Sequence, residues 1–145
     1  MVRPVSENIH ATTVAKNGRA VLIVGRSGAG KSDLALRLID RGWTLVSDDR
    51  TMLEASDGQL IASPPASIAG RIEARGLGIV TMDYLALATV AMHVDLDTAP
   101  ERLPMDAQRV TLLGTSIPGI AVDARAPSAP IIVELAFDRL ENHPQ

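Results

Sequence analysis

The chain has 145 residues, 46% of them hydrophobic, which suits one ordinary domain with a normal core and leaves little room for a second. A formal net charge of −3, no run of Lys or Arg, and an aromatic content of only Trp43, Tyr84 and Phe137 argue against nucleic acid or an anionic membrane as the main partner. The absence of cysteine excludes disulfides and thiolate metal sites without fixing the compartment, and no apolar run approaches a secretion signal or the roughly 18 residues of a membrane span. A cytoplasmic enzyme is the default expectation for a chain that handles nucleoside triphosphates, as the loop at residues 25–32 suggests.

In chain order, residues 11–14 read as a short strand with His10 just before it, and the apolar run 20–24 reads as a buried strand. Then comes Gly25-Arg26-Ser27-Gly28-Ala29-Gly30-Lys31-Ser32, which fills every position of the phosphate-loop pattern GxxxxGK[ST]. Average residue usage produces this pattern by chance in roughly one chain of this length in a few hundred. Leu34, Leu38 and Ile39 carry helical spacing through residues 31–41, so the loop sits between a strand and a helix, as phosphate binding requires. Glycines let the backbone N–H groups turn inward around an anion, Lys31 adds a point charge, the Ser32 hydroxyl is a magnesium ligand type, and the helix N-terminus adds partial positive charge. The chain is therefore expected to handle a nucleotide or another polyphosphate. The plain alternative is a loop whose glycines only make a turn.

Residues 43–47 read as a strand that delivers Asp48 and Asp49, 17 and 18 positions after Lys31. Residues 51–55 and 59–62 flank the turn signal Ser56-Asp57-Gly58 and read as a hairpin. Pro64 and Pro65 start a loop. The segment 70–80, with Glu73-Ala74-Arg75-Gly76-Leu77-Gly78 inside it, is too charged and too glycine-rich for plain core. Residues 86–95 read as a strand, 98–107 as a polar loop, and 109–113 and 117–122 as strands. Residues 131–137 read as another strand, with the start of a terminal helix as the alternative. The expected fold is α/β, α+β-like in character: a mixed, largely antiparallel sheet carrying one phosphate-loop helix, in a single domain over residues 1–145.

Phosphoryl transfer needs a carboxylate for the metal and usually another that takes the proton of the accepting hydroxyl. Successive side chains of an extended segment point oppositely, so one of Asp48 and Asp49 can face the metal while its neighbour faces the acceptor. The plain alternative is an acidic loop after a strand. His10 can approach the phosphates from the strand beside the loop, although a lone histidine is more often a surface residue.

His10, the loop ending in Lys31-Ser32, Leu45-Val46-Ser47-Asp48-Asp49 and Ile72-Glu73-Ala74-Arg75-Gly76-Leu77-Gly78-Ile79 together resemble the catalytic domain of bacterial HPr kinase/phosphorylase. The last segment has the form of that family's signature, E-x-R-G-L-G-I, and the resemblance extends over roughly residues 8–137. It implies a phosphate-loop catalytic domain of the phosphoenolpyruvate-carboxykinase-like type. It also implies a Mg2+-dependent protein serine kinase that uses ATP, with pyrophosphate or GTP as other donors left open, to phosphorylate the phosphocarrier HPr. Inorganic phosphate reverses that modification in the family. By resemblance Asp49 is the acid/base, His10, Lys31 and Arg102 are its catalytic companions, Ser32 and Glu73 are metal ligands, and Asp48 supports the metal or phosphate shell. A homo-oligomer, hexameric in the family, is also implied, with residues 131–140 helping to hold HPr on a neighbouring subunit. The plain alternative for that segment is core packing around Phe137.

Three departures qualify the resemblance. Larger family members carry an additional N-terminal domain, so a minimal catalytic form without that domain's regulation is expected here. The family's motif for dephosphorylation matches Asp123-Ala124-Arg125-Ala126-Pro127-Ser128, where Arg125 alone clearly survives, so kinase activity with weak or absent phosphorylase activity is expected. Arg26 stands where an acidic residue is common and is expected to add positive charge near the phosphates. Three other readings compete. A small-molecule kinase would need an arginine-bearing lid and a regular parallel sheet. A non-catalytic nucleotide sensor would have less need of Asp48, Asp49 and Glu73. A phosphate-binding module could also act only within a larger complex.

Overall fold

The computed structural model describes residues 6–142. In chain order its strands and helices are β1 (Ser6–Ile9), β2 (Ala11–Lys16), β3 (Arg19–Val24), α1 (Lys31–Asp40), β4 (Thr44–Ser47), β5 (Thr51–Ser56), β6 (Gln59–Ser63), β7 (Arg71–Ala74), β8 (Gly78–Thr81), β9 (Ala88–Asp95), β10 (Gln108–Leu112), β11 (Thr115–Ala121) and α2 (Ala129–Asn142), with a short 3-10 turn at Ala66–Ile68. Among the described residues nine strands form one sheet: seven run in the order β1-β5-β6-β9-β3-β2-β4, and the β10–β11 hairpin supplies the other two, with β11 paired to β9. Only β3–β9 and β9–β11 are parallel within it, so the expected mixed, largely antiparallel sheet is what the chain builds.

β3 lies inside the sheet between β2 and β9, and it is buried on both faces. Val21 and Ile23 belong to the core on the helix side, whereas Ala20 and Leu22 belong to a second cluster on the opposite face. That double burial is why the run is continuously apolar rather than alternating. The two neighbours of β3 then place their ends around the loop that follows it.

Helix α1 starts where Gly30, in the left-handed region at φ 102°, reverses the chain out of the loop. Leu34, Ala35 and Leu38 are buried at helical spacing, and Asp33 pairs with Arg37 one turn on at 3.1 Å. The helix ends in a Schellman motif: Trp43 N–H reaches the Leu38 carbonyl and Gly42 N–H the Ile39 carbonyl, with Gly42 at φ 103°.

The strand reading of residues 131–137 is corrected, because this segment lies within α2. Pro130 falls in the first turn, where its missing N–H costs nothing, and Ala129, Val133 and Phe137 recur every four residues on the buried face. The β-branched run Ile131-Ile132-Val133 suggests a strand only when that period is ignored. Phe137 packs edge-on against Trp43, with ring centroids 4.8 Å apart, and Glu134 accepts hydrogen bonds from Trp43 Nε1 and Arg41 Nε. Phe137 is core, as the plain alternative for this segment has it, while Ile131, Ile132 and Leu135 are exposed. Strand β1 and the separate β7–β8 hairpin were not anticipated as such. Among the described residues, no helix is long and apolar enough to cross a membrane.

Candidate active site

The loop after β3 is organised by its own backbone. Ala29 N–H donates to the Arg26 carbonyl at 3.0 Å and closes the turn, and Gly28 takes φ 85°, open to glycine without strain. A side chain at Gly25 would press on Ala29 and Leu96, and one at Gly30 would press on Ala124, so both glycines are also dictated by close approach. The buried Lys31 ammonium rests on the Gly25 and Arg26 carbonyls at 2.8 and 3.2 Å, which leaves a third donor free among the described residues.

Beside the loop lies an open cleft of about 560 Å³, within the range of small-ligand sites. The phosphate loop supplies Ser27, Gly28, Gly30, Lys31 and Ser32 to its walls. The β4–β5 turn supplies Asp48, Asp49 and Arg50, and β7 with its turn supplies Arg71, Glu73 and Arg75. Residues two apart on a strand share a face, so Arg71 and Glu73 turn to the cleft with Arg75 following, while Ile72 is buried in the core.

Asp48 is the hub. Its Oδ1 accepts the hydroxyls of Ser32 at 2.6 Å and Thr12 at 2.9 Å, and its Oδ2 accepts the Glu73 N–H at 3.0 Å. One buried carboxylate therefore ties α1, β2 and β7 together at the mouth of the loop. Ser32 spends its proton on Asp48, which leaves the hydroxyl lone pairs for a cation. Asp49 is exposed to the cleft, and its backbone has φ 67°, uncommon for a residue with a side chain.

The donor set suits magnesium. Among the described residues no group of three His, Asp or Glu side chains converges to hold a metal alone. Magnesium commonly takes only one or two protein oxygens and completes its shell with phosphates and water, and the Ser32 hydroxyl and the exposed Glu73 carboxylate beside the loop fit that habit. Asp48 also lines the cleft, and through Oδ1 it holds the Ser32 hydroxyl in place.

Other sequence candidates lie apart from the cleft walls. Gly25, Arg26 and Ala29 form the back of the loop, and the Arg26 side chain is exposed. His10 is exposed in the bend between β1 and β2. The ladders pair Ile9 with Thr51 and Ala11 with Val24, so one step beyond them His10 stands beside Arg50 and Gly25. Arg102 is exposed in the loop after β9 and does not line the cleft.

Sequence reasoning passed over several site residues. Arg71, Glu73 and Arg75 are legible as an i, i+2, i+4 set, although only Glu73 was given a role. Asp97 was also missed: both its carboxylate oxygens accept the Arg26 N–H, at 3.1 and 3.0 Å, and hold the start of the loop. Asp97 is delivered by a turn in which the Asp95 carboxylate accepts the N–H groups of Asp97 and Thr98 and the Thr98 hydroxyl. Burial raises the Asp95 pKa, but these bonds and the nearby His93 outweigh it and hold the carboxyl below its ordinary value. Burial lowers the pKa of His93, with Asp95 opposing the shift. Both groups stand on the strand behind the loop.

The family model described as HPr Serine kinase C-terminal domain matches residues 4–143. The chain is similar to the HPr kinase/phosphorylase of Clostridium beijerinckii, 34% identical over 141 residues, covering 88% of this chain and 47% of that protein. It is similar also to that of Geobacillus kaustophilus, 37% identical over 142 residues, covering 88% and 46%. The chain thus spans about half the length of the curated relatives it matches. The solved structure of the Hpr(Ser) kinase/phosphatase from Coxiella burnetii superposes with a TM-score of 0.78 at 30% identity, covering 93% of this chain and 97% of that one. A phosphate loop beside a hydrogen-bonded carboxylate hub, on a sheet shared with that structure and under a family model spanning nearly the whole sequence, leaves one conclusion: the chain belongs to the HPr serine kinase C-terminal domain family.

Proposed function

We propose that the protein is an ATP- and Mg2+-dependent kinase that phosphorylates a serine of an HPr-type phosphocarrier protein. The observation that carries this reading is the convergence on one cleft of Lys31, Ser32, Asp49 and Glu73 around the Asp48 hub. Bound MgATP supplies the transferable phosphoryl group and the cation that neutralises its charge. The loop N–H groups cradle the phosphates, the free donor of Lys31 reaches the transferred group, and Ser32 and Glu73 offer oxygens to the cation. Asp49 accepts the proton of the substrate serine as that oxygen attacks, and returns a proton in the reverse direction. His10 acts from the exposed bend beside Gly25 and Arg50, and Arg102 adds positive charge once its loop is drawn over the cleft. A loose transition state is stabilised by such charge and positioning more than by covalent help.

The cleft is open, as a protein acceptor requires, and the supply of ATP assigns the work to the cytoplasm. Exposed Ile131, Ile132 and Leu135 on α2 support self-association, for which the hexamer is the model. The reverse phosphorylase activity is weak in this reading, because in the segment that the family uses for it only Arg125 stands out.

Purified protein incubated with Mg2+, labelled ATP and HPr should place label on a serine of HPr, and Asp49→Ala should abolish the transfer while nucleotide still binds. Nucleotide binding without transfer by the native protein would turn the reading to a sensor or to another acceptor.

A further inference from the structure

The turn that carries Asp49 is strained. Arg50 N–H donates to the Asp48 carbonyl at 2.7 Å, and Asp49 between them has φ 67°. A hydrogen bond across two residues with positive φ at its apex is the rare form of the γ-turn. Such a conformation costs free energy and persists only where its surroundings over-determine it.

Thr12 is the surrounding that does so. Its side chain is fully buried on β2, and its Oγ1 accepts the Asp49 N–H at 3.0 Å while donating to Asp48 Oδ1 at 2.9 Å. A hydroxyl has one proton and two lone pairs, so both bonds form at once. Without them the buried oxygen of Thr12 would carry an unmet desolvation cost, and valine would fill the same space more cheaply. From the other side the Ser47 hydroxyl donates to the Arg50 carbonyl. The apex residue is thus gripped through its own N–H and both flanking residues.

We propose that Thr12 is a positioning residue: its hydroxyl clamps the γ-turn at Asp49 and so sets the direction of that carboxylate in the cleft before substrate arrives. The proposal rests on the reading of Asp49 as proton acceptor. Thr13 provides an internal contrast. It is equally buried on the same strand, but its hydroxyl meets that of Thr51 at 2.8 Å and touches neither aspartate.

The test compares Thr12→Val, Thr12→Ser and Thr13→Val with the native chain. The measurements are hydrogen exchange at the Asp49 amide, melting temperature, and steady-state phosphorylation of HPr. Thr12→Val should lose protection at the Asp49 amide and lose kcat on the order of 10- to 100-fold, the scale of a small misplacement of a reacting group. Its KM for ATP should stay within about twofold, since uniform binding is untouched. Thr12→Ser should restore both properties. Thr13→Val should leave kcat and the Asp49 amide unchanged. Unaltered protection in Thr12→Val, or a kcat loss no greater than that of Thr13→Val, overturns the clamp. Should Thr12→Val fail to fold, Thr12→Ala is read in the same two measurements. An Asp49→Asn enzyme that keeps full kcat sinks the proton-acceptor reading instead, while the exchange measurement, which needs no acceptor protein, still decides the clamp.

Discussion

The Asp48–Asp49 turn and the Arg102 loop both follow a strand that ends beside the phosphate loop, yet they are held in opposite ways. Around Asp49, hydroxyls and N–H groups from β2, β4, α1 and β7 converge within three residues of chain. After β9, the Asp95 turn pins the chain only as far as Thr98, and residues 97–109 are exposed throughout. The difference follows the chemistry proposed for each. A carboxylate that accepts a proton must be oriented beforehand, because reorienting it during reaction adds to the barrier. A guanidinium that offsets charge on the transferred group can be brought in when the loop closes over bound substrate.

Substitution separates the two regions. Asp49→Ala should cost the most, on the order of 10³-fold in kcat, as loss of a general base does. Arg102→Ala should cost on the order of 10²-fold, the scale of losing one charge-stabilising donor, with no change in melting temperature because its loop holds no core contact. A loss of stability in Arg102→Ala would show that the loop is anchored after all. Asp48→Asn breaks the rigid region itself. It leaves the Ser32 and Thr12 hydroxyls and the Glu73 N–H competing for one carbonyl oxygen beside a donating amide, so denaturant unfolding should report a loss of about 1.5–3 kcal/mol along with impaired transfer.

The smallest effect concerns pH. His93 titrates below its ordinary 6.5 and Asp95 below its ordinary 3.8. In both cases the unfolded chain binds its proton first as pH falls. Their contribution is therefore complete above 6.5 for His93 and above 3.8 for Asp95, and it is lost as pH falls through each folded value. His93→Gln should flatten the first part of that decline, as melting temperature against pH will show. An unchanged profile would mean that His93 gains its proton without opposing the fold.

Legibility in the sequence follows the range of the interactions. The strand, loop and helix from Ala20 to Asp40 are readable because the glycines, Lys31 and the period of Leu34 and Leu38 act within a few residues of one another. The hairpin at Ser56-Asp57-Gly58 is readable for the same reason. For residues 131–137 the strand reading fails and the terminal-helix alternative holds, because the four-residue period of Ala129, Val133 and Phe137 outweighs the local run of β-branched side chains. Asp97 and Thr12 were unreadable as site residues, since their partners lie 71 and 36 or 37 positions away.

The sequence by itself determined that an anion-binding loop stands between a buried strand and a helix, that acids follow at the next strand end, and that the sheet is mixed. Those properties depend on backbone freedom, side-chain chemistry and short-range period. Only the tertiary structure decided which aspartate became the buried hub and which the exposed, strained neighbour, because that choice depends on hydroxyls and N–H groups delivered from strands and a helix remote in sequence. A carboxylate takes its role from the donors that reach it, and those donors meet only when the sheet has closed around the loop.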